Sequence, residues 1–220
     1  EFIGHPATVV VPSALAVAET VGAGGEDLAR AIIAGYDAAR FVGTLAMPGH
    51  YDHGFHSTAT IGAFGAMAAS AALMDLSLKE IENAIGLAAT QAAGLKCMFG
   101  TMAKPFHVGH AASAGVIAAR LATRGMTANR ESLETTQGFL ATQAHQAVPA
   151  DWHTPRFGES LDHLLFKYHA SCYLTHSSIE AVRQLAAEHA LTPDNVESII
   201  LQVPAGHLKV CNIKHPATGL

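Results

Sequence analysis

The chain has 220 residues, half of them hydrophobic, 14% charged and 6% aromatic, with a formal net charge of −5. So much apolar surface excludes disorder, and it fills one large domain or one and a half smaller ones. Cys97, Cys172 and Cys211 are too few and odd in number for a disulfide scaffold and suit a reducing compartment; the absence of any Lys/Arg block removes nucleic acid as an expected partner.

Pro12 suits the first turn of a helix that runs on from Ser13 to Thr20 and ends at Gly22-Ala23-Gly24-Gly25. That glycine run is not a dinucleotide loop, because no strand precedes it and Asp27 breaks the pattern. Leu28, Ile32 and Tyr36 recur at helical spacing, which predicts a helix from about Glu26 to Phe41. The segment from Met47 to His56 reads as a loop. It leads into an Ala/Gly helix over Thr60–Leu73, where Gly62, Ala66, Ala69 and Leu73 share a face. The uncharged stretch Ser57–Met74 is built from small residues, so it reads as a buried helix and not as a membrane span, and no membrane partner is expected.

Ser77 and Glu80 form a capping box that opens a helix to about Ala93, with Gly94 ending it. A second loop, Gly100 to His107, precedes a helix from about Gly109 to Thr123. From Gln143 to Gly158 the texture changes, with Pro149, Asp151, Trp152 and Pro155 close together, which marks a candidate boundary. Ser177 and Glu180 read as a second capping box, opening a helix to Ala190; a turn at Thr192-Pro193-Asp194 leads to a strand over Val196–Val203. The expected fold is therefore mainly α: a helical domain over 1–158, then the start of an α+β domain over 159–220. The chain opens without Met and is expected to be a piece of something longer; no basic-then-apolar leader is seen, and a cytoplasmic location is expected.

Histidine is the compositional outlier, with 14 residues against 13 Lys plus Arg. Three groupings matter. His50, His53 and His56 are spaced by three within a Pro/Gly-rich loop, which leaves open a metal site, a substrate-site loop or solvated histidines. Lys104, with His107 and His110, stands where a loop enters a helix; free N–H groups plus a cation there read as an anion receptor suited to carboxylates, with an ordinary surface lysine and capping histidines as the alternative. Lys167, His169, Cys172 and His176 follow the candidate boundary; nothing in their spacing orients a base onto Cys172, so a core cysteine is the expectation. Lys167, just past the candidate boundary, is a candidate to reach across an interdomain cleft.

Three runs in order resemble the MmgE/PrpD family. They are His56-Ser57-Thr58-Ala59-Thr60-Ile61-Gly62-Ala63-Phe64-Gly65-Ala66, Ala89-Thr90-Gln91-Ala92-Ala93-Gly94-Leu95, and the run from Gly100 through Lys104-Pro105-Phe106-His107 to Ala112. Phe166-Lys167 and the helix–strand unit after it are similar to the family's junction into its smaller lid domain. The resemblance implies a large helical domain, an α+β lid, a homodimer, a cleft between the domains and no metal or organic cofactor. By position, the family's active-site histidines fall on His5 and His56 and its lysines on Lys104 and Lys167. His107, Thr101 and Thr58 are the implied substrate-binding residues. An acidic segment upstream of His5 and a lid tyrosine beyond Leu220 would complete the family's site, and Ser57 stands where Pro is common. The implied activity is that of a lyase on a small polycarboxylate, foremost dehydration of 2-methylcitrate by proton abstraction beside a carboxylate. Epimerisation of iminodisuccinate and decarboxylation of cis-aconitate are the alternatives on the same scaffold. A non-catalytic metal-binding or structural helical module is the alternative of another class.

Overall fold

Alanine and glycine let helices approach closely, and the first of the two units is built on that property. The computed structural model describes residues 3–148 and 152–211, and the chain divides into the units Glu1–Leu164 and Leu165–Leu220. Pro149 and Asp151 of the candidate boundary lie outside the described residues.

Helix α1 spans Ala7–Val21, so Pro12 sits inside it and not in its first turn. The apolar face Val9, Val10, Ala14 and Val17 is buried on both sides of the proline, and that packing carries the helix through it. Thr8, whose carbonyl loses a helical donor to Pro12, is exposed to water. Helix α2 (Gly25–Ala46) continues beyond the expected Phe41, because Val42, Leu45 and Ala46 are also buried. A single turn, α3 (Gly49–Asp52), interrupts the segment expected as loop.

Helix α4 (Ser57–Leu73) is the hub: fourteen of its seventeen residues are buried. Its small side chains admit neighbours on several sides. A Cβ added to Gly65 would come within 2.9 Å of the Gly35 carbonyl of α2, so those two backbones touch. Phe64 fills the remaining space and meets Phe139 edge-on at 5.1 Å. No described helix is long and apolar enough to cross a membrane.

Helix α5 (Leu78–Gln91) opens with the expected capping box: the Ser77 N–H donates to Glu80 Oε2 at 2.8 Å, and the Glu80 N–H donates to Ser77 Oγ at 3.4 Å. Helix α6 (Ala103–Ala122) begins before Pro105, not at Gly109, because a proline in a first turn forfeits no helical hydrogen bond. After it come a π-helical turn at Leu140–Ala144 and a 3₁₀ turn at Glu159–His163. The second is pinned to α2: the Asp37 carboxylate accepts from the Gly158 and Ser160 N–H groups at 2.6 and 2.9 Å, and Arg40 Nη1 meets Glu159 Oε1 at 2.9 Å.

The second unit contains a 3₁₀ turn (Tyr173–Thr175), α7 (His176–Glu188), a turn at Pro193–Asn195 and α8 (Ala205–Cys211). The capping box expected at Ser177 does not form. The helix starts at His176, and the Glu180 carboxylate is taken by His169 Nε2 at 2.6 Å. Residues 196–203 form no strand, because no described segment pairs with them and a strand exists only through its ladder. The described architecture is mainly α.

Candidate active site

The first turns of α4 and α6 bring together residues far apart in the chain. His56 is the N-cap of α4 and is buried; its N–H donates to the Gly94 carbonyl at 3.0 Å. Gly94 can take that place because its φ of +152° suits glycine, and because any Cβ there would lie 2.5 Å from Ala59 Cβ. Opposite stands His107, one turn into α6, with its Nδ1 3.2 Å from His56 Nδ1. Two imidazole nitrogens at that distance share one proton, one donating and the other accepting.

Phe99 forms the third wall. It meets the His56 ring edge-on at 4.9 Å, and Lys104 Nζ stands 4.3 Å over its face. The aromatic face holds the ammonium without neutralising it, and no carboxylate among the described residues forms an ion pair with Lys104. His5 joins from the segment before α1: its N–H donates to Thr58 Oγ1 at 3.1 Å, and its ring Nδ1 lies 3.3 Å from the same hydroxyl. Thr58 is itself buried. Thr101 braces the entry to α6, donating to the Met98 carbonyl at 2.8 Å and accepting from the Ala103 N–H at 3.2 Å.

Electrostatics keep the histidines neutral. Burial, then the neighbouring His107, Lys104 and His5, push His56 down to about 4. Burial, then His110, hold His107 below its ordinary value. Lys104 and the partial positive ends of α4 and α6 give this side of the site its positive character. A cation beside neutral imidazoles can bind a carboxylate and move a proton at the adjacent carbon.

The other two groupings behave differently. His50, His53 and His56 do not converge. His50 is buried between Phe55 and Phe139, whereas His53 has its Nδ1 2.6 Å from the Gly49 carbonyl and its ring stacked 4.0 Å from that of His145. Among the described residues no cluster of three or more His, Cys, Asp or Glu is placed to hold a metal. Lys167 belongs to the second unit, where its Nζ donates to the Ser171 carbonyl at 2.7 Å. There His169 meets His176 edge-on at 5.1 Å, and Cys172 is a half-buried free thiol.

Sequence reasoning missed Phe99 and Gly94. Phe99 sits in an unpatterned stretch, with only its nearness to Lys104 as a signal. Gly94 reads as a helix stop, which hides that its carbonyl receives the His56 N–H.

Comparison with known proteins finds relatives of one kind. Human cis-aconitate decarboxylase is 28% identical over 212 residues, covering 91% of this chain and 44% of that protein. The mouse cis-aconitate decarboxylase is 29% identical over 165 residues, 68% of this chain and 32% of its own length. The cis-aconitate decarboxylase of Aspergillus terreus is 28% identical over 207 residues, 84% of this chain and 41% of its own. The chain thus spans less than half the length of these curated relatives. The MmgE/PrpD N-terminal domain matches residues 2–150, which contain His5, His56, Lys104 and His107, and the MmgE/PrpD C-terminal domain matches residues 169–220. With more than half the chain covered by the first match and most of the rest by the second, this chain belongs to the MmgE/PrpD family.

Proposed function

We propose that the chain supplies the histidine–lysine side of an active site that acts as a lyase on a small polycarboxylate. The observation that carries this reading is the neutral His56–His107 pair, 3.2 Å apart, beside the Lys104 ammonium, which no described carboxylate neutralises. One substrate carboxylate would sit against Lys104 and the first turn of α6. As the neighbouring carbon loses a proton or carbon dioxide, an electron pair spreads onto that carboxylate, and Lys104 stabilises the growing charge. His56 takes or returns the proton, His107 orients the His56 ring, and His5 is the second candidate for proton transfer.

The relatives' names favour decarboxylation of cis-aconitate or a close analogue as the reaction. Dehydration of 2-methylcitrate, the reaction foremost in the sequence reading, would use the same groups on a carbon–oxygen bond. The test is to incubate the full-length protein separately with cis-aconitate and with 2-methylcitrate in deuterated water and follow both by NMR. Release of CO₂ from cis-aconitate with one deuterium gained at carbon is expected. A new alkene signal from 2-methylcitrate instead would favour dehydration, and no turnover of either acid would overturn both readings.

A further inference from the structure

His50 is fully buried, and a buried imidazole is tolerated only when both ring nitrogens are satisfied. Its Nδ1 lies 3.1 Å from the carbonyl oxygen of Gln143, which can only accept, so Nδ1 carries the hydrogen. Burial holds its pKa near 4, so the ring is neutral and Nε2 has only a lone pair. The Thr60 hydroxyl, 2.6 Å away, must then donate to Nε2. The tautomer is thereby fixed, and the ring bridges the turn Leu140–Ala144 to the first turn of α4.

That bridge bears on His56 from both ends of one short segment. Thr60 lies one turn beyond His56, and its N–H donates to the His56 carbonyl at 3.2 Å. Gly49, beside His50, packs so tightly on the Ala144 carbonyl that a Cβ would lie 2.2 Å from it. Phe55, directly before His56, stacks on His50 with centroids 4.7 Å apart and planes 10° from parallel. On the far side Gln143 continues the brace, donating from Nε2 to the Ala92 carbonyl at 3.3 Å, two residues before Gly94. Gly94 in turn receives the His56 N–H.

We propose that His50 is a positioning residue for His56: clamped between Gln143 and Thr60, it fixes the backbone on both sides of His56 and so the direction of the His56 ring toward His107. The inference rests on the reading of His56 as an active-site residue, and it assigns a role to a histidine that touches none of the site's reacting groups.

The test uses the full-length protein with ¹⁵N-labelled histidine, comparing wild type with His50→Phe, His50→Gln and Thr60→Val. His50→Phe keeps a flat but larger aromatic ring and removes both hydrogen bonds. His50→Gln retains an acceptor for the Thr60 hydroxyl, and Thr60→Val deletes the same bond from the other side together with the long 3.4 Å contact of that hydroxyl to the His56 carbonyl. The first readout needs no substrate: the proton shared between His56 and His107 gives a downfield N–H signal coupled to two nitrogens. Loss of that coupling in His50→Phe and Thr60→Val, with its retention in His50→Gln, is expected. An unchanged signal in folded His50→Phe overturns the proposal whatever happens to melting temperature. The second readout is turnover of cis-aconitate, where kcat should fall about 10- to 100-fold with KM nearly constant, as small misplacements of a catalytic group produce. The double variant His50→Phe/Thr60→Val should lose no more kcat than His50→Phe alone. Full activity in a His56→Ala control would overturn the proposal in a different way, by faulting the active-site reading itself.

Discussion

The Nδ1 atoms of His56 and His107 stand 3.2 Å apart across 51 residues of sequence. Neither ring is placed by its own helix alone. His56 is the N-cap of α4, and His107 is one turn into α6, so the distance between the rings is set by how closely those helices pack. Burial does most to hold His56 neutral, His107 adds to it, and the positive charge of Lys104 on the same side contributes less.

Removing the proton-transfer group should cost more than removing the charge. His56→Ala is expected to lower kcat/KM by about 10²–10⁴-fold, the range for a lost general acid–base group. Lys104→Ala should lower it by about 10²–10³-fold, as for other fixed charges that stabilise a developing anion. Lys104 is half-buried and packs across the Phe99 face, so circular dichroism and melting temperature should be close to wild type. Equal activity in Lys104→Ala and wild type would remove the lysine from the mechanism.

Polycarboxylate binding should be coupled to proton uptake. His56 is pushed down to about 4 partly by Lys104, and a bound carboxylate cancels that repulsion. Its pKa therefore rises in the complex, the complex holds more protons than the free site, and affinity strengthens as pH falls from 7 toward the raised value. Titration calorimetry of cis-aconitate binding in buffers of different ionisation enthalpy reads the proton count directly. A heat independent of buffer, or proton release, would contradict the assignment of His56 to the anion site.

Much of the helical framework was legible from single residues, and the departures share one cause. The Ser77–Glu80 box predicted the start of α5 because both partners lie within one turn and nothing else competes for them. The analogous Ser177–Glu180 pair failed because His169 captures the carboxylate at 2.6 Å, a contact that local pattern does not contain. Pro12 suggested a helix start by its own chemistry, yet burial of Val9 and Val10 extends α1 to its other side. The site was legible in the same uneven way. Lys104 at a helix entry announces an anion receptor, but the partnering of His56 with His107 needs the packing of two helices that no spacing rule gives. The regular spacing of His50, His53 and His56 was the most conspicuous signal, and the three rings have separate surroundings.

Acid should destabilise the first unit in a defined window. His50 and His56 are both lowered from 6.5 to about 4 in the folded chain by burial. Between those values the unfolded state binds more protons than the folded one, so stability rises with pH there. The contribution is complete above about 6.5 and lost progressively down to about 4, at most about 3 kcal/mol for each ring. Glu80 and Glu159, held low by their hydrogen bonds, add a further loss only below the ordinary carboxylate value of 4.5. Urea denaturation at pH 7, 6, 5 and 4 should show the histidine-linked slope, and His50→Gln should flatten it. A stability constant from pH 7 to pH 5 would mean that neither ring is buried neutral.

The packing of α4 on α6 makes a separate prediction that ties the core to the site. His107 lies by His56, and Gly115 lies by Ala63, Ala66 and Met67, so the two helices run side by side in the same sense. A Cβ on Gly115 would fall 2.4 Å from the Met67 backbone nitrogen and 2.6 Å from the Ala63 carbonyl, neither of which can move without its helix. Gly115→Ala should therefore push the helices apart and cost about 1–3 kcal/mol, the usual range for overpacking. A Cβ on Gly109, in the same helix, would meet nothing within 4 Å, so Gly109→Ala should stabilise by about 0.5–1 kcal/mol through helix propensity. Because separation of α4 and α6 also parts His56 from His107, Gly115→Ala should lose turnover at temperatures where it is still fully folded, and Gly109→Ala should not. Thermal melts paired with activity at about 10 °C below each variant's midpoint, a margin wider than the shift that about 1 kcal/mol produces, separate the two effects. Equal behaviour of the two alanines would show that this contact does not set the geometry of the site.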